Sequence, residues 1–202
     1  MNLLKIICVI LVILILIRLF LKETFQNSIS ITSNSFTNDG MVDKNNVCQD
    51  REGNNNTPQI TFTHPEDDTI QSYAILLEDL DAPHERDDTW VHWCVPYISI
   101  IKENDVIKNE VSIPETFTED IDTLKIGEDQ RDMIQGINSW DKLGYRGPCP
   151  PVGSEHRYKL SIWALDIQIK NEPRCDKNKL LEKLDGHVIF DGEKIVRYQY
   201  FG

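Results

Sequence analysis

The stretch "DLDAPHERDDTWVHWCV", residues 79–95, places charged side chains in a segment that otherwise has the apolar character of buried β-strand. Strand interiors favour β-branched and aromatic residues, and an unpaired charge buried there is costly. Asp79, Asp81 and His92 therefore need polar partners close by. The pattern predicts a polar cluster at one end of a buried sheet.

The second half of this stretch opens the segment "TWVHWCVPYISI", which is apolar on both faces and so predicts a central strand of a sheet. In an extended chain, successive side chains point to opposite faces. Regular alternation places Trp90 and His92 on one face, and Val91 and Trp93 on the other.

Further strands and one helix are predicted around this segment. Alternating or continuous apolar runs indicate strands at "SISITSNSFT", "QITFT", "SYAILLED", "RYKLSIWALDI" and "KIVRYQYFG". The spacing of the leucines in "DKNKLLEKLDGH" predicts a short amphipathic helix near the C-terminus. Residues 102–143 are charged and weakly patterned, and we expect an irregular excursion over the surface there. The elements together predict one mainly antiparallel β-domain with a late helix.

The chain has 202 residues, which is long enough for one globular domain with a core. Its formal charge is −12. Residues 1–26 hold three basic residues and one acidic residue, so the remainder is more acidic still, at −14. An acidic domain repels phosphodiester backbones, which argues against a nucleic-acid partner. We expect no cofactor and no resident metal.

The N-terminal segment "LLKIICVILVILILIRLFL", residues 3–21, is almost wholly apolar. Its uncharged centre, residues 6–17, is shorter than the roughly 20 residues of a full bilayer span, but Lys5 and Arg18 could snorkel to the two interfaces. A cleavable signal peptide is the alternative, although no small-residue cleavage site follows. We expect a single-pass membrane anchor or uncleaved signal in residues 1–26 and a domain outside the cytoplasm in residues 27–202. A secreted protein or a viral membrane protein is the alternative.

Polar groups at strand ends define a candidate binding pocket. Asp79 ends one predicted strand, His92 lies in the next, and His156 and Tyr158 begin the strand after a Gly/Pro-rich loop. A histidine held by an aspartate is either kept protonated or fixed in one tautomer, and both make it a directed donor. Together with backbone N–H groups of the loop and a tyrosine hydroxyl, it would bind a phosphate-sized anion. Considered alone, each of these residues is typical of an ordinary core or turn position. Arg157 alone is typical of a structural ion-pair partner.

Three segments in order resemble the phosphatidylethanolamine-binding protein family: "EDLDAP" (78–83), "WVHW" (90–93) and "GYRGPCPPVGSEHRY" (144–158). Upstream, "NNTPQITF" (55–62) is similar to the corresponding loop of the bacterial branch. The resemblance extends over about residues 28–202, everything except the apolar N-terminal segment.

The resemblance implies a large antiparallel sheet flanked by a smaller one, with a short C-terminal helix and a small anion cavity at one edge. The cavity would take phosphate, acetate-like ions, phosphoethanolamine and, by extension, phospholipid headgroups. The motif proline would follow a cis peptide bond, which is a shape-setting feature. The positions that match the family's pocket are Asp79, Asp81, Pro83, Trp90, His92, Pro151, His156 and Tyr158.

The chain departs from the family pattern where Leu80 replaces the first proline of its D-P-D-A-P motif. Some secreted bacterial relatives carry cysteines at positions like Cys48 and Cys149. The resemblance therefore also implies a disulfide between these two residues.

The function expected from the resemblance is non-enzymatic and regulatory: capture of a phosphorylated headgroup, or of a phosphorylated side chain on a partner protein. An inhibitor or interaction domain that acts through its surface is the alternative. A hydrolase of small esters or phosphates is a third reading, but G-x-S-x-G is absent and Cys149 is the sole candidate nucleophile. Asp79, His92 and His156 are also an acceptable set of metal ligands.

Overall fold

The structure, a computed structural model, describes residues 10–14, 28–37, 39–82, 89–172 and 174–202. Within them it contains strands, the α-helix α1 (Lys177–Leu184), a short helical segment at residues 10–14, and two 3₁₀ turns, Lys44–Asn46 and Gln49–Arg51. The strands are β1 (Ser30–Thr32), β2 (Ile60–Thr63), β3 (Ser72–Asp79), β4 (Trp90–Ser99), β5 (Lys102–Glu103), β6 (Val106–Ile107), β7 (Glu110–Ile113), β8 (Thr123–Ile126), β9 (Arg131–Ile134), β10 (Glu155–Leu165) and β11 (Val188–Gln199).

The main layer is a six-stranded antiparallel sheet in the order β11-β10-β3-β4-β9-β8. Every residue of β3 is buried, and so are all but the two end residues of β4. Strands covered on both faces need apolar side chains in both directions, which explains their nearly continuous hydrophobic sequence. These two strands are the centre of the fold.

Different elements cover the two faces of this sheet. On one face lies a smaller antiparallel sheet in the order β1-β2-β7, whose Ile60 and Phe62 join a core that contains Leu77 of β3. On the other face α1 packs Leu180 and Leu184 into a second cluster. Asp176 caps the start of α1 by accepting a hydrogen bond from the backbone N–H of Lys179. The predicted fold, a large antiparallel sheet flanked by a smaller one with a short C-terminal helix, is confirmed.

A β-bulge interrupts the pairing of β3 with β4. Glu78 pairs with Val91 and Leu77 pairs with Trp93. His92 lies between Val91 and Trp93 and is therefore an extra residue that has no paired residue on β3. The prediction that Val91 and Trp93 share a face is therefore wrong. Trp93 packs in the core with Leu77, whereas Val91 packs in the cluster beneath α1. Bulges re-aim side chains, and this one sits at the imidazole of the candidate site.

The segment 102–143, predicted as an irregular excursion, contains β5 to β9. Among these, β8 and β9 extend the main sheet and β7 forms one edge of the smaller sheet. The prediction was wrong because these strands are only two to four residues long, too short for alternation to show. Gln135 anchors the segment, since its side chain accepts a 2.7 Å hydrogen bond from the indole N–H of Trp93.

The predicted membrane anchor lies mostly outside the described residues; within it, residues 10–14 are helical and exposed. Across the described ranges, no helix combines the length and the apolar character that a membrane crossing requires. The predicted location, a single-pass membrane protein held through residues 3–21, is therefore wrong.

Candidate functional site

A cavity of about 220 Å³ opens where β3, β4 and β10 meet. Asp79, the last residue of β3, pairs with Trp90, the first residue of β4, on one side and with Tyr158 of β10 on the other. The sheet register therefore brings the polar groups of three strands to one end. The cavity is lined by Asp79, Ala82, Trp90, His92, Trp140, Cys149, Pro150, Pro151 and His156.

The carboxylate of Asp79 is buried and held on both oxygens. Its Oδ1 accepts hydrogen bonds from the backbone N–H groups of Asp81 and Ala82, each at 2.9 Å. Its Oδ2 accepts from Nδ1–H of His156 at 2.8 Å. A short turn after β3 and the start of β10 thus share one acceptor, which fixes the orientation of the carboxylate.

The His92 imidazole is 2 % exposed and donates its Nδ1–H to the backbone carbonyl of Arg146 at 2.6 Å. Burial lowers the pKa of His92 to about 4, so the ring is neutral near neutral pH and carries its proton on Nδ1. Its Nε2 is then a lone pair, and it lies 3.9 Å from Oδ2 of Asp79. Of the two predicted states for this histidine, the geometry favours the fixed tautomer.

Aromatic rings form the wall beside His92. The ring of Trp140 meets those of Trp90 and His92 edge to face, with centroids 5.1 Å apart in both pairs. The guanidinium of Arg146 lies 4.7 Å over the Trp140 ring. Sequence reasoning missed Trp140, because it belongs to the segment expected to be irregular. A lone tryptophan in the polar stretch "NSWDK" was the available signal.

Asp81 is predicted as a pocket residue, but it does not line the cavity. Its carboxylate accepts from Nε and Nη2 of Arg157, at 2.9 and 2.7 Å, and from the Arg157 backbone N–H at 2.8 Å. The Arg157 hydrogen bonds and charge lower the pKa of Asp81 to about 2. The pair holds the turn after β3 against β10, so Asp81 supports the site from outside.

Tyr158 is also predicted as a pocket residue and lies behind the cavity wall. It is fully buried, and its ring meets the His92 ring edge to face with centroids 5.2 Å apart. Burial, and then the nearby charge of Asp79, raise the pKa of the phenol. Its hydroxyl has no hydrogen-bond partner within the described part of the chain. Pro83 and the predicted cis peptide bond lie outside the described residues.

Most of the Gly/Pro loop does not supply the anion-binding N–H groups that the sequence suggested. Its prolines, Pro148, Pro150 and Pro151, have no N–H to donate. Four other backbone N–H groups of the loop are already donated within the protein: Arg146 to the His92 carbonyl, Gly147 to Oδ1 of Asn55, Gly153 to the Tyr200 carbonyl and Ser154 to the Pro151 carbonyl.

A disulfide bond joins Cys48 to Cys149, the pairing that the resemblance implies, across a separation of 101 residues. It ties the loop before β2 to the cavity wall. In the described ranges, the one cluster of three close metal-ligand side chains is Cys48, Asp50 and Cys149. Since its two sulfurs are bonded to each other, this cluster offers no thiolate ligands.

A larger cavity of about 620 Å³ lies between β7 and the β8–β9 turn. Its charged side chains neutralise one another: Nζ of Lys108 lies 2.8 Å from the carboxylate of Asp129, and Nη2 of Arg131 lies 3.5 Å from it. None of the predicted site residues lines this cavity. The smaller cavity around Asp79 is the better candidate site because its polar groups converge.

The chain is similar to known proteins in sequence profile, in sequence and in structure. The sequence profile of the family described as "Phosphatidylethanolamine-binding protein" matches residues 32–199. UPF0098 proteins from Pyrococcus horikoshii and Archaeoglobus fulgidus are each 31 % identical to the chain, over 65 % and 85 % of its length. The chain spans only 59 % and 51 % of those two relatives.

The crystal structure of a phosphatidylethanolamine-binding protein homologue from Chlamydia trachomatis superposes with a TM-score of 0.64 and 28 % sequence identity. The match covers 86 % of this chain and 98 % of the other. The profile match and the structural match each cover more than four fifths of the chain. The chain belongs to the phosphatidylethanolamine-binding protein family.

Proposed function

We propose that the chain is a binding protein whose 220 Å³ cavity holds a small phosphate-bearing ligand, such as phosphoethanolamine or the headgroup of a phospholipid. The observation that supports this best is the convergence of Asp79, His92 and His156, from three different strands, on one cavity. Buried polar side chains that converge in a concave site are the usual mark of a ligand pocket.

The composition of the wall supports a ligand of headgroup size. Trp90, Trp140, Pro150 and Pro151 present apolar and aromatic surface around the polar end of the cavity. Aromatic faces attract ammonium groups, so a zwitterion such as phosphoethanolamine would find complementary surface for both of its charges. Free phosphate would use the polar end alone.

A catalytic role has less support in the geometry. Cys149, the sole candidate nucleophile in the sequence, is bonded to Cys48 and has no thiolate to offer. Binding without covalent chemistry is therefore the function that we propose for the site.

The test is calorimetric titration of the full chain with phosphoethanolamine, inorganic phosphate and acetate. Wild type should bind phosphoethanolamine saturably, and His92→Ala should weaken binding at least about tenfold, as expected when a buried polar contact to a ligand is removed. His187→Ala is the matched control, because His187 pairs with Asp166 and does not line the cavity. Absence of binding to wild type that is folded by circular dichroism would contradict the proposal.

A further inference from the structure

The polar end of the cavity presents acceptors where a phosphate needs donors. The proton on Nδ1 of His92 is committed to the Arg146 carbonyl, and the proton on Nδ1 of His156 is committed to Asp79. What faces the cavity from His92 is the Nε2 lone pair, 3.9 Å from a carboxylate oxygen of Asp79. Two acceptors cannot hydrogen-bond to each other, nor can either bind an unprotonated phosphate oxygen.

Most backbone N–H groups of the neighbouring loop cannot offset this mismatch. Four N–H groups of the Gly/Pro loop are donated elsewhere in the protein, and its three prolines have none. The carboxylate of Asp79, buried beside the site, adds a repulsive negative charge. A phosphate oxygen that contacts Nε2 of His92 therefore needs a proton between itself and the imidazole.

We propose that the cavity takes up one proton together with its phosphate ligand, and that this proton bonds to Nε2 of His92. The proton comes from solvent, or from the acidic hydroxyl of a monoanionic phosphate. In the second case that O–H bond breaks and the phosphate is bound as the dianion, and in neither case does a P–O bond break. The resulting imidazolium donates Nε2–H to a phosphate oxygen, and Asp79 balances its charge. This inference rests on the proposed function and adds the protonation state in which the site binds.

The groups packed around His92 set the direction of this coupling. Burial, which has the largest effect, and the charge of Arg146 disfavour the imidazolium, whereas the backbone carbonyl of Arg146 and the carboxylate of Asp79 on β3 favour it. His156 and the neutral Tyr158 face the ring from β10, and Trp140 packs against its edge. The free ring is therefore neutral at pH 7, and an anion in the cavity supplies the additional charge that makes protonation favourable. Affinity should rise as pH falls, and level off near pH 4, where the free ring is itself protonated.

The test is calorimetry of the full chain with sulfate and with phosphate, in two buffers of different protonation enthalpy. Sulfate carries no proton in the neutral range, so any proton taken up must bind to the protein. We expect about one proton per sulfate near pH 7, and an affinity for sulfate that rises up to about tenfold per pH unit as pH falls. His92→Gln supplies an amide donor without titrating, and should bind sulfate with no proton uptake. His187→Gln should behave as wild type.

Three results would overturn the inference, and they differ in what they leave standing. Binding of sulfate and phosphate without proton uptake would refute the coupling and leave the proposed function intact. Binding of phosphoethanolamine, with no binding of either inorganic anion between about pH 6 and pH 8, would place the ammonium group at the acceptors instead. Binding of none of the three would overturn the coupling and the proposed function together.

Discussion

Asp79 and His156 lie 77 residues apart in the sequence, yet Oδ2 of the first and Nδ1 of the second are 2.8 Å apart at the end of the main sheet. The contact depends on the antiparallel register of β3 and β10, in which Asp79 is opposite Tyr158. It explains how charged residues are tolerated beside two buried strands. Both oxygens of the Asp79 carboxylate have hydrogen-bond donors, so the charge is not left without partners.

Replacing Asp79 should destabilise the fold as well as the site. In Asp79→Ala two backbone N–H groups and the Nδ1–H of His156 lose their acceptor. We expect the free energy of unfolding in urea to fall by about 2–4 kcal/mol, because unsatisfied buried donors are costly. The control is Asp166→Ala, whose carboxylate is half exposed and pairs with His187, and whose effect should stay within about 0.5 kcal/mol. Equal effects of the two variants would refute this account of Asp79.

The disulfide should contribute strongly to stability because it joins residues 101 positions apart. Loops of this length give the largest restriction of the unfolded chain, and loss of such a bond typically costs about 2–5 kcal/mol. The double variant Cys48→Ala/Cys149→Ala should unfold at correspondingly lower urea concentration. A reducing agent should lower the stability of wild type and leave that of the double variant unchanged. An unchanged urea midpoint in the double variant would contradict the prediction.

Buried histidines should make the protein less stable at mildly acidic pH. The pKa of His92 is about 4 in the folded chain, below its ordinary 6.5, because burial disfavours the imidazolium. Above pH 6.5 the ring is neutral in both states, and stability is at its full value. As pH falls toward 4, the unfolded chain takes up the proton first, so stability decreases by an amount on the order of 3 kcal/mol.

Urea unfolding between about pH 7.5 and pH 4.5, in buffer free of phosphate and sulfate, would measure this loss. His92→Gln should lose less stability than wild type over the same range. Part of the loss should persist in the variant, because burial also lowers the pKa of His64. Identical pH dependence of wild type and His92→Gln would show that His92 is not the group responsible.

A buried ion pair ties α1 to the main sheet and gives a fourth prediction. The carboxylate of Glu78 on β3 is buried and lies 2.8 Å from Nζ of Lys177 and 3.7 Å from Nζ of Lys159. Lys177→Met should lower the free energy of unfolding by about 1–3 kcal/mol, since a buried carboxylate loses its nearer cation. Lys179→Met, on an exposed position of the same helix, should change it by less than about 0.5 kcal/mol. Similar losses in both variants would point to helix propensity instead of the ion pair.

The sequence was sufficient for the strands that form the centre of the fold. The stretch "SYAILLED" coincides with β3, because a strand buried on both faces must be apolar at nearly every position. The strands of the 102–143 segment could not be recognised, since they are stabilised by pairing with other strands, β7 with β2 and β9 with β4 among them, rather than by their own pattern. The bulge at His92 could not be predicted from the sequence either, because it depends on how two strands pair.

The residues of the candidate site were likewise predicted only in part. Asp79, Trp90, His92, Pro151 and His156 were predicted together, and the structure places all five on one cavity. Asp81 and Tyr158 belong to the same motifs but lie outside the cavity, one paired with Arg157 and the other behind His92. A motif reports which residues occur together, whereas the direction of each side chain follows from the register and the bulge.

The most direct test of the central claim is a crystal structure of the full chain with phosphoethanolamine at a concentration that saturates binding in solution. We expect phosphorus density inside the cavity that Asp79, His92 and His156 line, with a phosphate oxygen at hydrogen-bond distance from Nε2 of His92. Ligand density in the larger cavity beside Arg131, with the smaller cavity free of it, would contradict the account.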